Sequence, residues 1–153
     1  MKTELLQLIW ALMGTLGFGI LFRAPLRDLP LAAIGGSIAW GAFLLARHIS
    51  GSEGFAYLAA SIAVGLYAEI LAGIMKRPAT LFILCAIIPL VPGAGAYYTM
   101  FYAVSGLGDK AARTGFGTII AAGGIAAGLA VASALARILW LRKPNPLFRG
   151  KKR

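Results

Sequence analysis

The sequence predicts an all-α integral membrane protein with five transmembrane helices, the fourth of them broken by proline and glycine at mid-membrane. Of the 153 residues, 59% are hydrophobic and only 13% are charged, whereas about a quarter of the residues of a soluble domain are charged. The apolar residues come in blocks of membrane-spanning length rather than at amphipathic spacing. Two prolines, Pro89 and Pro92, lie in the middle of the fourth block.

The first two spans are separated by a short polar turn. The first is predicted over residues 5–22. A cleavable signal peptide is a weaker interpretation, because Glu4 interrupts the basic segment expected before it and Arg23 follows it directly. The second span is predicted over residues 31–46, just after Pro30, which suits the first turn of a helix.

The third span, residues 55–75, carries the one acidic residue placed inside an apolar block, Glu69. Side chains four residues apart share a helix face. The face that includes Glu69 is small or polar: Tyr57, Ser61, Gly65, Glu69 and Gly73. The carboxylate is therefore expected to face a neighbouring helix rather than lipid. Because a buried charge is costly, Glu69 is a candidate proton-coupling group; the alternative is a structural carboxylate, or one wetted near the interface.

The fourth block, residues 79–106, holds the candidate substrate site. Each proline lacks an N–H group and clashes with the preceding helical turn, and Gly93 and Gly95 give the backbone freedom to unwind. Lipid cannot satisfy the freed peptide groups, so a break at this depth must face protein or a water-filled cavity. Broken helices of this kind form substrate sites in many transporters. The alternative is a proline kink that only shapes packing.

Both halves of this block, 79–91 and 94–106, are too short to cross a hydrocarbon core of about 30 Å alone, so one broken span is expected. The second half is rich in hydroxyl groups, which suit a polar cavity wall or an interfacial aromatic belt. The predicted substrate-binding residues are Pro89, Pro92, Gly93, Gly95, Tyr97 and Tyr98.

The fifth span is predicted over residues 116–139, after a loop at 107–115. Gly124, Gly128, Ala132 and Ala136 step by four and predict a close helix-packing seam. Arg137, near the end of this span, is expected to reach the interface, with pairing to substrate or Glu69 as the alternative. Residues 1–140 are thus predicted to form the membrane domain, and residues 141–153 a disordered basic tail.

The net charge of +10 is distributed as membrane topology requires. Six of the fifteen basic residues lie in the last twelve positions, and others flank apolar blocks. This placement predicts contact with anionic lipid rather than nucleic acid. Ten basic residues fall on the side of the tail and four on the other, so the positive-inside rule puts the C-terminus in the cytoplasm and the N-terminus outside.

No pattern in the sequence indicates catalysis. Cys85 is alone in an apolar block, where a small buried hydrophobic side chain is the ordinary interpretation. No His, Cys and carboxylate cluster has metal-ligand spacing, and neither a phosphate-binding loop nor a nucleophile–base pattern is present. We therefore expect no metal, no cofactor and no enzymatic activity.

Several motifs resemble the threonine/serine exporter family, above all its short form, which corresponds to the C-terminal half of full-length members. They are Gly36-Ser37-Ile38 with Gly41, Gly65 with Glu69, Pro78, and Ile88-Pro89-Leu90-Val91-Pro92-Gly93 with Ala96-Tyr97. The likeness runs over about residues 18–140. It implies a secondary exporter of the inner membrane for threonine and serine or, in the split form, succinate. It also implies a second membrane subunit matching the N-terminal half, in a hetero-oligomer with several copies of each chain.

Two functional hypotheses follow. In the first, the chain is the small subunit of a proton-driven, two-component exporter, and the family pattern assigns Pro89, Pro92, Gly93, Tyr97 and Glu69 as its candidate residues. In the second, it is a non-transporting scaffold whose glycine seams pack against a substrate-carrying partner.

Overall fold

The computed structural model describes residues 2–140, which are helical apart from short turns. The helices are α1 (Lys2–Leu21), α2 (Leu29–Ser50), α3 (Glu53–Met75), α4 (Ala79–Ala86), α5 (Gly93–Val104) and α6 (Gly108–Trp140), with a 3₁₀ turn at Ile88–Leu90 between α4 and α5. Four of the helices are long and apolar enough to cross a membrane, and the α4–α5 pair forms a fifth candidate span bent by 41°. The predicted fold class is therefore confirmed. The predicted tail, 141–153, lies outside the described residues.

The two ends of the bundle carry different turns. At one end, here called the Glu53 end, Gly51 closes α2 with a left-handed backbone (φ 64°), and the Arg47 guanidinium lies 3.0 Å from the Glu53 carboxylate. At the opposite end, here called the Arg77 end, Lys76 closes α3 in the same conformation (φ 53°), and the next residue is Arg77. These charged turns mark where the apolar bundle ends.

The core is built largely from alanine. Hydrophobic association between helices is weak in lipid, so membrane helices pack through small residues that allow close approach. One buried cluster comprises Ala39, Phe43, Ala46, Ala56, Ala60, Val64, Ala86 and Leu90. The other comprises Ala32, Ala68, Leu71, Ala72, Phe82 and Cys85. Leu90 belongs to the first cluster, so the first turn of the break packs against the core of the bundle.

Helices α3 and α6 pack along the predicted seam of small residues. A methyl group added at Gly124 would lie 2.9 Å from the carbonyl oxygen of Gly54, and one added at Gly128 would lie 2.6 Å from the carbonyl oxygen of Leu58. Gly65, further along α3, lies against Ala132. Residue numbers rise together on the two helices, so α3 and α6 are parallel.

This parallel packing determines the path of the chain between the two helices. α3 ends at the Arg77 end and α6 begins beyond the Glu53 end, so the intervening segment must cross the bundle. A re-entrant loop would return the chain to the side it left and make α6 antiparallel to α3. α4 and α5 are therefore the two halves of one broken span.

Helix α5 packs antiparallel on the first part of α6. Gly95 lies against Thr118 and Thr99 against Gly115, and the Lys110 ammonium lies 5.9 Å from the centroid of the Tyr102 ring. Because Ile120 is level with the start of α3, residues 108–119 extend about 18 Å past it at 1.5 Å per residue. We call α5 with residues 108–119 the projecting hairpin.

The predicted loop at 107–115 is wrong, since α6 begins at Gly108. The reversal takes only the three residues between α5 and α6, 105–107, and Gly106 has a φ of 74°, which suits glycine. The Asp109 carboxylate, in the first turn of α6, interacts favourably with the positive end of the helix dipole. Charged side chains that suggested a loop are carried on a helix.

Candidate functional site

The break starts with a 3₁₀ turn. The chain leaves α4 at Ala86 and turns through Ile88–Leu90. Pro89 fits here because it fixes φ and supplies no N–H. The N–H of Leu90 donates to the carbonyl of Ile87 at 2.8 Å. Leu90 is only 1% exposed, so its side chain anchors the turn in the core.

Pro92 forms the second part of the break. Its backbone angles, φ −78° and ψ 54°, are those of an inverse γ-turn, in which the N–H of Gly93 donates to the carbonyl of Val91 at 2.8 Å. α5 starts at Gly93, and the N–H of Ala96 donates to the carbonyl of Pro92 at 3.1 Å. The two prolines thus replace about two turns of helix with two tight turns.

The break leaves peptide groups open on both sides of Pro92. Within residues 2–140, no hydrogen bond uses the N–H of Ala94 or of Gly95, as is common in the first turn of a helix. The same holds for the carbonyl oxygens of Pro89 and Leu90. Two acceptors therefore precede the proline and two donors follow it.

Side chains of the described chain do not fill the space beside these groups. Gly93 and Ala94 are exposed, and a methyl group added at Gly93 would meet no atom within 4 Å. Lipid offers no hydrogen bonds to open peptide groups. The break therefore needs water, a ligand or another protein chain beside it.

The two tyrosines predicted for the site lie on the outward side of α5. Tyr97 and Tyr98 are 64% and 49% exposed, and their ring centroids are 5.3 Å apart. Gly95 instead faces α6, where its lack of a side chain admits Thr118. The predicted residues therefore follow one another through the break and the start of α5, but the exposed tyrosine side chains are turned away from the bundle.

Glu69 lies apart from the break. Gly65, one turn earlier on α3, packs on Ala132, so the same register sets Glu69 beside Ala136 in the seam. No hydrogen bond or ion pair joins the Glu69 carboxylate to another described side chain, Arg137 included. Ala60, which shares a cluster with Leu90, is nine residues away along α3, or about 13 Å along the helix axis.

Sequence reasoning missed the most buried acid of the described chain, Asp28. Its side chain is 1% exposed, and its Oδ2 lies 3.4 Å from Nε of Arg77, which is 48% exposed. The pair joins the α1–α2 turn to the residues just before α4. An available signal was the position of Asp28 directly before Leu29–Pro30, because acids are frequent at helix starts. The sequence predicted only a short polar turn here.

A cleft of about 250 Å³ opens at the Glu53 end between α3 and α6. Its lining residues are Ser52, Glu53, Gly54, Tyr57, Gly117, Ile120 and Ala121. Sequence patterns could not reveal it, because its walls come from segments at least sixty residues apart. Within residues 2–140, no group of three or more His, Cys, Asp and Glu side chains is placed to hold a metal ion.

Several helices that are long and apolar enough to cross a membrane define a multi-pass membrane protein. The model of the family described as threonine/serine exporters matches residues 7–135. The match covers most of the chain, so the chain belongs to the threonine/serine exporter family, and the resemblance found in the sequence is confirmed. An exporter family groups the chain with transport proteins rather than with enzymes. No solved structure matches it.

Proposed function

We propose that the chain is the small subunit of a two-component secondary exporter of the inner (plasma) membrane, moving threonine and serine, or succinate, with proton flux. The observation that carries this proposal is the break between α4 and α5, whose peptide groups have no hydrogen-bond partner within the described chain. In a membrane, open backbone is expected only where it lines a water-filled cavity or contacts protein.

The two sides of the break suit the two ends of an amino acid. The free N–H groups of Ala94 and Gly95 lie at the positive end of the α5 dipole and would bind the substrate carboxylate. The carbonyl oxygens of Pro89 and Leu90 would accept hydrogen bonds from the ammonium or hydroxyl group. A dicarboxylate would use the amide side alone.

Glu69 would be the proton-coupling group. Its carboxylate has no partner among the described side chains, so proton binding would not first have to break an ion pair. Because it lies in the α3–α6 seam and away from the break, it would act by changing the packing of these two helices rather than by touching the substrate.

A second membrane subunit would complete the site. The exposed side of the break, at Gly93 and Ala94, needs cover that lipid cannot give. The family resemblance implies a partner matching the N-terminal half of full-length members, assembled as a hetero-oligomer with several copies of each chain. By the positive-inside rule the Arg77 end would face the cytoplasm and the Glu53 end the outside.

Two substitutions at one position test this function. Ala94→Pro removes an N–H that the fold does not use, at a place in the first helical turn where proline is tolerated. Ala94→Leu is the matched control, because it adds bulk and keeps the N–H. The assay is counterflow of labelled threonine, serine and succinate in liposomes containing the complex purified through a tag on this chain. We expect counterflow to fall at least tenfold with proline and to persist with leucine. Equal counterflow in both variants, with normal complex yield, would overturn the proposal.

The scaffold hypothesis is a second candidate, favoured by the seam in which backbone atoms of α3 and α6 nearly touch. It predicts that both Ala94 variants transport normally and that seam substitutions reduce complex yield. Gly93→Ala is a further probe, since the added methyl group meets nothing within 4 Å. Gly95→Ala is unsuitable, because it would collide with Thr118.

A further inference from the structure

We propose that the two turns at the Arg77 end form a binding site for the headgroup of an anionic phospholipid that carries two phosphate groups. The turns are residues 22–28, between α1 and α2, and residues 76–78, between α3 and α4. Four basic side chains lie on these turns, and all are exposed: Arg23, Arg27, Lys76 and Arg77. The inference goes beyond export, because it does not depend on which compound the chain transports.

Two of these basic residues have a backbone conformation that residues with a side chain rarely adopt. Arg23 has a φ of 55° and Lys76 a φ of 53°, and the other two left-handed positions of the described chain are glycines, Gly51 and Gly106. Arg23 and Lys76 each lie just after the end of a helix, where glycine is the usual residue. A left-handed side-chain residue costs free energy and is found mostly at functional sites. The fold thus carries a positive charge at two positions where glycine would cost less.

An ion pair holds the two turns together. The buried Asp28 carboxylate lies 3.4 Å from Nε of Arg77, and its Oδ2 has no hydrogen-bond partner within the described chain. Ala24, next to Arg23, packs on the same buried cluster as Ala79, at the start of α4. Because Asp28 is the one acid of the two turns, four basic side chains against one carboxylate leave a net charge of +3.

Phosphate groups suit these side chains. The planar guanidinium of arginine presents a fork of N–H donors that matches the oxygens of a phosphate. Arg77 approaches Asp28 through Nε, and 48% of its side chain stays exposed, so the guanidinium can still contact a ligand. Each turn carries two basic residues and can hold one phosphate group. A pair of phosphodiesters, each singly charged, would neutralise most of the net charge of +3.

Exposed apolar side chains beside the basic ones indicate a lipid rather than a free phosphate compound. Phe22 and Leu26, in the first turn, are 54% and 77% exposed, and Ile74, in the last turn of α3, is 68% exposed. At a membrane boundary such side chains contact acyl chains, while basic side chains reach the headgroups. Basic surfaces between membrane helices bind lipid headgroups in this way. A lipid bound here connects the start of α4 to the α1–α2 turn.

The test uses substitutions that remove charge without straining the backbone. Arg23→Gly with Lys76→Gly places glycine at both left-handed positions, and Arg23→Gln with Lys76→Gln removes the same charges but keeps a side chain. Lys110→Gln with Arg113→Gln is the matched control, because it removes two positive charges from exposed positions of the projecting hairpin. The full chain is purified in detergent through a tag, with any subunit that copurifies. Binding of tetraoleoyl cardiolipin and of dioleoyl phosphatidylglycerol is measured by native mass spectrometry, and stability by unfolding in SDS.

We expect cardiolipin to bind, with affinity reduced about tenfold or more by the glycine pair and by the glutamine pair at the Arg77 end, and unchanged by the control pair. Phosphatidylglycerol, which has one phosphate, should bind several-fold more weakly. The glycine pair should unfold at the same SDS concentration as the unsubstituted chain or at a higher one, because it removes the left-handed side chains.

Absence of cardiolipin binding, or equal affinity in all variants, would overturn the site. Equal binding of the two lipids would overturn the headgroup with two phosphates, and displacement of cardiolipin by an excess of inorganic diphosphate would overturn a lipid ligand. Lower stability of the glycine pair would show that the fold itself needs these side chains, and the argument from the backbone would fail. These outcomes are independent of the Ala94 counterflow result, which tests only the break.

Discussion

The substitution Gly128→Ala tests the parallel packing of α3 and α6, from which the crossing of the fourth span was deduced. The added methyl group would lie 2.6 Å from the carbonyl oxygen of Leu58 and 2.7 Å from Cβ of Ser61. Both atoms belong to or adjoin rigid helical backbone, so the helices must separate. Forcing a methyl group into a packed interface costs about 1–3 kcal/mol.

Part of this penalty is offset, because alanine is favoured over glycine in a helix by about 0.5–1 kcal/mol. We therefore expect a net loss of about 1–2 kcal/mol in the free energy of unfolding. Gly123→Ala is the control in the same helix, since its methyl group meets no atom within 4 Å. That variant should be unchanged or gain up to about 1 kcal/mol.

The assay is reversible unfolding in mixed micelles with increasing SDS, followed by helical circular dichroism. The measured quantity is the difference in unfolding free energy between the two variants. We expect Gly128→Ala to be less stable than Gly123→Ala by about 1–3 kcal/mol, which is the overpacking penalty alone, because the helix preference for alanine is common to both variants. Equal stability of the two variants would mean that α3 and α6 do not meet at Gly128, and the argument for a crossing fourth span would lose its basis.

Three other predictions follow from the described contacts. Arg77→Ala should lower the free energy of unfolding by about 1–3 kcal/mol, because it leaves the buried Asp28 carboxylate unpaired. The control, Arg27→Ala, is at an exposed position of the turn that contains Asp28 and should have little effect in the same unfolding assay. Similar effects of the two substitutions would show that the ion pair does not hold the two turns together. Glu69→Gln should abolish proton-driven export, measured in liposomes with an imposed pH gradient, while complex yield and counterflow persist. Unchanged proton-driven export by this variant would remove Glu69 from the mechanism. Cys85, 2% exposed, should react with a maleimide only after unfolding in SDS; reaction in mild detergent at the rate of a free thiol, measured by mass spectrometry, would contradict the packing of α4.

Much of the fold could be predicted because a membrane helix requires an apolar block of characteristic length, which is visible in the sequence. The break was predictable because proline removes a hydrogen bond donor wherever it occurs. The seam at Gly124 and Gly128 was predictable because close helix approach requires small residues at a spacing of four.

Other features depend on tertiary contacts that one sequence does not contain. The burial of Asp28 depends on Arg77, which lies in a different turn. The helical start of α6 was hidden because Asp109 and Lys110 are as common in loops as on exposed helix surface. The separation of Glu69 from the break depends on how far α3 and α4 are offset along the bundle axis, and the periodicity of the sequence does not contain this offset. The cleft likewise requires knowing that Gly54 and Ile120 are at the same level.

The central claim is that the open amides after Pro92 bind substrate. The most direct measurement is solid-state NMR of the complex in lipid bilayers, with ¹⁵N-labelled alanine and glycine in this chain, with and without threonine, serine or succinate. The account predicts that the Ala94 and Gly95 amide resonances shift with at least one of these compounds, while that of Gly123 stays in place. Unchanged Ala94 and Gly95 resonances, under conditions in which the same sample exchanges labelled substrate, would contradict it.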